Sequence, residues 1–338
     1  MRRNSLPPAL ALAATAGELA AFDDAEAAAE PRPERHGPPE RQELSAPSRA
    51  RTRRRHLFHP RRGWVRRAER AVNLALSARI FPSIPGLHLP YTRQLARTLT
   101  LTEGEVSLSG LPAAFSGLRV LLVTDPHAGP FLSVQGLARA FDRLMELEPD
   151  VVLIGGDLIT ARTVEVDDFA PAYTRLRAPL GVFAVLGNHD HYSGEPQRVL
   201  AGAEAAGIRV LHNRSHELER AGSRLSLAGV DDLLMGRPDL DAALAGTRPP
   251  VVLLSHNPDL FFEAAARGVA LMLSGHTHAG QVRIPGMPVI VRQSRFRLDE
   301  GRFRHRGSEL IVSRGLGAVG LPLRLACPPE AVLVTLRP

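Results

Sequence analysis

Cysteine is almost absent from this 338-residue chain, and Cys327 is its single example. One thiol cannot close an intramolecular disulfide, and without a CxxC pair or a Cys/His cluster no structural zinc site is expected. Cys327 reads as a small buried apolar residue. Lysine is missing altogether: all 42 basic residues are arginine, a bias that points to codon usage rather than to selection for bidentate phosphate contacts. No apolar run reaches the roughly 18 residues needed to cross a bilayer. The opening MRRN followed by LPPALALAATAGELAAF imitates a signal peptide, but Pro7, Pro8 and Glu18 interrupt it. A cytoplasmic location is therefore expected.

What is present starts with apolar residues, 44% of the chain, enough for a sizeable buried core. The net charge of +7 and a pI near 10.8 invite a nucleic-acid reading. The charge is unevenly placed, however: arginines outnumber acidic residues two to one over residues 1–100 and are slightly outnumbered afterwards. A near-neutral body argues against an Arg-driven nucleic-acid-binding protein.

Residues 1–56, rich in Ala, Pro, Glu and Arg, cannot support a packed core and are expected to be a disordered extension. Residues 57–97 form a basic amphipathic segment. Within it, Trp64, Ala68, Ala71, Val72, Ala75 and Leu76 recur at helical spacing opposite Arg66, Arg67 and Arg70. Beside the arginines of 49–62, such a helix is either a membrane-surface anchor, with residues 49–81 touching the inner face of the membrane, or a helix packed on the rest of the protein. Residues 98–109 predict a hairpin. Helices and strands then alternate to about residue 274, and Val289–Val291, Glu309–Ser313 and Ala331–Leu336 read as strands without helices between them. A mixed α/β protein with two packed sheets follows.

The chemistry-bearing residues fall at the ends of apolar runs. LLVT is followed by Asp125-Pro126-His127, VVLI by Gly155-Gly156-Asp157, VFAVL by Gly187-Asn188-His189-Asp190, VVLLS by His256, and LMLS by Gly275-His276-Thr277-His278. In an extended segment, residues i and i+2 share a face, so Asp125 and His127 can address one ion. Glycines at such ends permit sharp turns where a side chain would crowd an ion.

These motifs, in this order, resemble the signature of the calcineurin-like metallophosphoesterases. The resemblance covers residues 118–281 and implies a four-layer α/β/β/α sandwich over 98–338. It implies hydrolysis of a phosphodiester or pyrophosphate by a dinuclear centre of Mn, Fe or Zn with a metal-activated hydroxide. Carried over by position, Asp157 would bridge the two ions. Asp125, His127 and His278 would complete one shell, and Asn188, His256 and His276 the other. His189 resembles the acid that protonates the leaving oxygen, with Asp190 orienting it. His191 and Tyr192 would wall the pocket, and Asp231-Asp232 would either line the site or form a turn.

One departure is Pro126, where the family more often has an aliphatic residue; it should stiffen the loop without removing a ligand. The segments GQVRIPG after His278 and SRGLG at 313–317 resemble the bacterial branch of membrane-associated phosphodiesterases and lipid-sugar pyrophosphatases. On that ground a lipid-linked diester or pyrophosphate ranks first as substrate, a soluble nucleotide or diester second, and a phosphoprotein third. A catalytically silent scaffold and an Arg-rich nucleic-acid binder are the competing readings.

Overall fold

The computed structural model describes residues 31–37, 39–45, 71–72, 74–285, 289 and 291–338. Its elements in chain order are β1 (Glu34–His36), β2 (Arg41–Glu43), α1 (Leu89–Thr98), β3 (Thr100–Ser107), β4 (Arg119–Val123), α2 (Val134–Met145) and β5 (Val151–Ile154). Then come α3 (Val164–Asp168), α4 (Ala170–Tyr173), β6 (Val182–Ala184), α5 (Asn188–Tyr192), α6 (Pro196–Ala205), β7 (Arg209–Val210), β8 (Arg214–Arg220) and β9 (Ser223–Gly229). The last third holds α7 (Leu240–Leu244), β10 (Val251–Leu254), α8 (Phe261–Ala266), β11 (Leu271–Ser274), β12 (Gly301–His305), β13 (Ser308–Val312) and β14 (Glu330–Arg337).

Two seven-stranded sheets result, ordered β1-β3-β14-β4-β5-β6-β7 and β2-β12-β13-β11-β10-β9-β8. The central strands are continuous apolar runs, VVLI in β5 and VVLL in β10, and every residue in them is buried. A strand buried on both faces needs that composition. One face of each sheet meets the other sheet through Leu122, Leu153, Phe183, Leu227, Leu254 and Leu273. The opposite faces meet helices. On the first sheet Leu137, Phe141 and Leu144 of α2 pack with Leu121 and Val152, and on the second Phe261 and Ala264 of α8 pack with Leu253 and Met272. The four-layer α/β/β/α arrangement follows from these three apolar interlayers.

α2 shows how local signals place these parts. Ser133 caps it by accepting the Gly136 N–H at 3.0 Å, its apolar stripe faces the sheet, and the chain leaves the helix before Pro149.

The expected hairpin at 98–109 is instead the single strand β3. The strand beside it is the C-terminal β14, parallel to β3 and antiparallel to β4, so a distant segment takes the place a hairpin would fill. Neither Val289 nor Val291 lies in a strand, and Ile290 is outside the described residues. β8, RSHELER, lacks the apolar alternation that would announce a strand; it pairs antiparallel with β9 at the sheet edge.

Most of the extension expected to be disordered lies outside the described residues. Within it, β1 pairs with β3 and β2 with β12, each adding an edge strand. Trp64 and the arginines of 46–70 also lie outside. The described part of that helix runs through Ala71, Val72, Leu74 and Ala75 into a π-helical turn, Leu76–Ile80, and its Val72 is 57% exposed. α1 lies upstream of residue 98, yet its Tyr91 and Leu95 are fully buried against the first sheet's helical layer. Among the described residues, no helix is long and apolar enough to cross a membrane.

Candidate metal centre

The loops that carry the motifs leave the carboxyl ends of parallel strands in both sheets. Beyond β4 and β5 the two chains stay paired: Asp125 N–H donates to Gly156 O, His127 N–H to Asp157 O and Ala128 N–H to Leu158 O, each at 3.0 Å. That register sets Asp125, His127 and Asp157 side by side. From the second sheet, the His276 N–H reaches both Asp125 carboxylate oxygens at 3.1 Å, tying the Gly-His-x-His turn to the Asp-x-His loop.

The structure brings all seven expected residues together, each of them buried. Donor atoms of Asp125, His127, Asp157 and His278 lie within 4.8 Å of one another and could hold a metal ion. His127 Nε2 and His278 Nε2 are 3.0 Å apart, and His278 Nε2 is 3.4 Å from Asp125 Oδ1. A second group adjoins the first. His256 Nε2 lies 3.3 Å from Asp157 Oδ2, 3.2 Å from Asn188 Oδ1 and 3.2 Å from His276 Nδ1. His256 Nδ1 donates to Gly155 O at 2.7 Å, which aims its Nε2 into the cluster.

Backbone strain is concentrated here. Asp125, His127, Asp157, His276 and His278 have φ of 52°, 47°, 53°, 72° and 48°. Each left-handed non-glycine residue costs roughly 1–3 kcal/mol, a cost that persists where the surroundings over-determine the conformation. Glycines make the approach possible: a Cβ on Gly275 would strike an Asp125 carboxylate oxygen, and one on Gly187 would strike Asp157.

Burial dominates the electrostatics. It pushes Asp125 up to about 6 and holds His127 and His278 well below the usual imidazole range. Burial also opposes charge on Asp157, but the surrounding imidazoles, His256 first, outweigh it and hold that carboxyl well below the carboxylate range. Neutral imidazoles at His127 and His278 and an ionised Asp157 are the forms a divalent ion needs, whereas at His256 burial is outweighed by Asp157 and Asp125, which raise it well above the imidazole range, so it would release a proton to an incoming ion. Oxygen and nitrogen donors packed this closely, with glycine-cleared space around them, fit such an ion.

His189 stands beside this group, its ring edge-on to His127 at a centroid distance of 4.7 Å. Asp190 does not orient it, contrary to expectation. That carboxylate instead accepts the Gly187 N–H at 2.8 Å and the Ile159 N–H at 3.1 Å, capping α5. Burial, with Asp157 nearby, raises Asp190 to about 7. The partner of His189 Nδ1 is the Thr160 carbonyl at 2.6 Å, which fixes the proton on Nδ1 and leaves Nε2 as the free ring nitrogen. Thr160 is held by Glu165, whose Oε2 accepts three consecutive N–H groups, those of Thr160, Ala161 and Arg162, at 3.0, 2.8 and 3.0 Å. Nothing in the sequence singled out Glu165. Arg324 was missed as well: it is buried and donates to His278 Nδ1 at 2.9 Å.

Asp231 and Asp232 cap a turn at 233–235, and Asp232 is also close enough to the metal centre to interact electrostatically with His256 and Asp157. Asp231 accepts the Arg237 N–H at 2.7 Å, and Asp232 accepts those of Leu234 and Met235 at 2.8 and 2.7 Å. Tyr192 packs edge-on to His189. His191 Nε2 pairs with Asp231 Oδ1 at 2.8 Å. Burial opposes the charge on both partners, but their mutual hydrogen bond prevails, raising His191 and drawing Asp231 down to about 2. The stabilisation by Asp231 is present above its unfolded pKa of about 3.9 and is lost as pH falls toward 2. That by His191 is present below about 6.5 and is lost as pH rises through its raised folded pKa. The loss of Tm in a His191→Asn variant is therefore expected to be largest near pH 5 and to shrink toward pH 8.5 and pH 2.5; a pH-independent difference would show that the pair is uncharged.

Residues 118–280 match the family model described as calcineurin-like phosphoesterase. The chain is 31% identical over 254 residues to YkuE, an uncharacterized metallophosphoesterase of Bacillus subtilis (strain 168), spanning 73% of this chain and 89% of that protein. The chain belongs to the calcineurin-like metallophosphoesterases. It is accordingly a phosphoric ester hydrolase that uses divalent metal and acts on a phosphate-ester substrate. This metallophosphoesterase is also 31% identical over 224 residues to phosphodiesterase YaeI of Escherichia coli (strain K12), spanning 64% of this chain and 82% of that one. To a Danio rerio transmembrane protein with metallophosphoesterase domain it is 32% identical over 252 residues, spanning 70% of this chain but only 57% of the fish protein.

Proposed function

We propose that the centre holds two divalent transition ions and hydrolyses a phosphodiester or pyrophosphate bond in a lipid-linked substrate. The observation that carries the two-ion reading is the position of Asp157. Its Oδ2 is 3.5 Å from His127 Nε2 and 3.3 Å from His256 Nε2, so one carboxylate faces both groups of donors. Asp125, His127 and His278 would complete one shell, and Asn188, His256 and His276 the other. Mixed oxygen and nitrogen donors suit Mn, Fe or Zn. Once bound, the ions supply charge neutralisation on the phosphoryl group and a lowered pKa for attacking water.

The chain's own residues do the rest. His189, its Nδ1 proton held by the Thr160 carbonyl, would pass a second proton from Nε2 to the leaving oxygen, acting as an acid in its imidazolium form with a proton on each nitrogen. The lipid-linked class rests on the basic segment 49–81 as a peripheral membrane contact and on the GQVRIPG and SRGLG segments. The phosphodiesterase name of one relative supports the diester, and the transmembrane name of another supports the membrane contact.

The test is turnover by the Mn-loaded protein of UDP-sugar lipids, cyclic nucleotides, a soluble aryl diester and phosphopeptides, with and without prior chelation. Hydrolysis that chelation abolishes, Mn restores and a lipid substrate maximises is the expected result. Full activity in metal-free protein would overturn the mechanism, and a kcat/KM advantage for phosphopeptides or soluble nucleotides would overturn the substrate class.

A further inference from the structure

Leu321, Leu323 and Leu325 recur at every second position and are 55%, 42% and 54% exposed, whereas Arg324 between the last two is 3% exposed. A soluble domain ordinarily does the reverse, burying leucine and exposing arginine. The inversion is locked in place. Arg324 Nε donates to Gly317 O at 2.8 Å, and Nη2 donates to Arg314 O and His278 Nδ1, each at 2.9 Å. Its backbone N–H and carbonyl are both taken by the Gln94 side chain, at 2.7 and 2.6 Å. With Arg324 directed inward, an extended chain turns its neighbours at 323 and 325 outward.

A second loop joins this one. Gln281, three residues past His278, donates from Nε2 to the carbonyls of Val319, Leu321 and Leu323 at 3.0, 3.2 and 3.1 Å, and its Oε1 accepts the Val319 N–H at 2.9 Å. The Arg283 N–H donates to Leu325 O at 2.9 Å. This loop contributes Ile284 and Val291, 49% and 60% exposed. The two loops thus carry five exposed apolar side chains between them, and Arg324 ties the second to the metal centre through His278.

The chain beside them says what covers them. Gln94 lies on α1, and upstream of α1 the exposed apolar residues continue with Ile84, Ile80 and Val72, at 43%, 51% and 57%. Directly before them comes the arginine-rich stretch 46–70, whose only acidic residue is Glu69. Apolar side chains that can enter a lipid interface, in a chain whose residues 46–70 are polycationic by sequence, match an anionic bilayer.

We propose that Leu321, Leu323, Leu325, Ile284 and Val291 form a docking ridge that inserts into the interface of an anionic bilayer and holds the metal centre at headgroup depth. The inference deepens the lipid-linked reading above and rests on it for the substrate met there. The test uses the full chain carrying Trp64→Phe and Leu323→Trp, so that a single indole reports from the ridge. It is mixed with phosphatidylcholine/phosphatidylglycerol vesicles containing dibrominated phosphatidylcholine.

A blue-shifted, bromolipid-quenched indole is expected. In an otherwise native full chain, Leu321→Ser/Leu323→Ser/Leu325→Ser should sediment with the same vesicles about tenfold more weakly. An indole that stays unshifted and unquenched while the protein sediments would assign binding to the N-terminal segment alone and overturn the ridge. So would a failure to bind the vesicles, or a dimer in light scattering that Leu323→Glu dissociates. Turnover of a soluble aryl diester in the same samples keeps the two readings apart. Turnover without quenching refutes the ridge but not the hydrolase, and quenching without turnover supports the ridge while the hydrolytic reading fails.

Discussion

An Asp157→Asn enzyme is expected to lose about a thousandfold or more in kcat/KM on a soluble aryl diester at saturating Mn, with roughly half or less of its bound metal. The side chain is 2% exposed and both of its oxygens are committed. Oδ1 accepts the His189 N–H at 2.7 Å, while Oδ2 faces His127 and His256. An amide has one oxygen and one NH2 group. In one orientation the NH2 group opposes the His189 N–H, and in the other it points into the donor cluster, where a cation should sit. Either way a charge is removed from between the two groups of ligands. A Lewis-acidic site contributes several kcal/mol to transition-state stabilisation, and each 1.36 kcal/mol is tenfold in rate, so losing about 4 kcal/mol gives the stated magnitude. Metal analysis alongside kinetics checks it. A variant within tenfold of the native rate, with full metal content, would show that Asp157 is not shared.

His189→Gln is expected to behave differently: kcat falls by about 10² to 10³, metal content stays at the native level, and the loss grows as the leaving group worsens. The ring is placed by the Thr160 carbonyl at Nδ1, and Glu165 braces that carbonyl's residue through three N–H groups, so Nε2 is free for proton transfer. Glutamine keeps a polar group there but has no titratable nitrogen. An aryl leaving group needs little protonation and an alkyl one needs much, so a plot of log kcat against leaving-group pKa should steepen in the variant. Loss of metal in His189→Gln would make His189 a ligand and the role assigned to it wrong.

The candidate ligand positions stood out in the sequence for a physical reason, and the family resemblance assigned them to two shells. A strand buried between two layers must be apolar, so a carboxylate or imidazole one or two glycines beyond VVLI or LMLS stands out against its surroundings. The supporting residues had no such contrast. Asp190 looked like the partner of His189 because it is adjacent in the chain, but its oxygens satisfy the orphan N–H groups at the start of α5. The true partner is a backbone carbonyl, which any residue type could supply. Glu165, Gln281 and Arg324 likewise act on main-chain groups or on residues far away in the chain, contacts that leave no spacing to read.

The chain's own sequence determined the layered α/β class and the order of the motif strands, because local apolar patterning and strand-end chemistry are encoded residue by residue, and the resemblance of those motifs to the family picked out the seven converging side chains. Only the tertiary structure decided that β14 lies between β3 and β4, that Asp157 stands between two groups of donors, and that Arg324 points inward while Leu321, Leu323 and Leu325 face out. Each of those facts depends on which distant segment occupies a given neighbour's place, and pairing between distant segments is set by global packing rather than by local propensity.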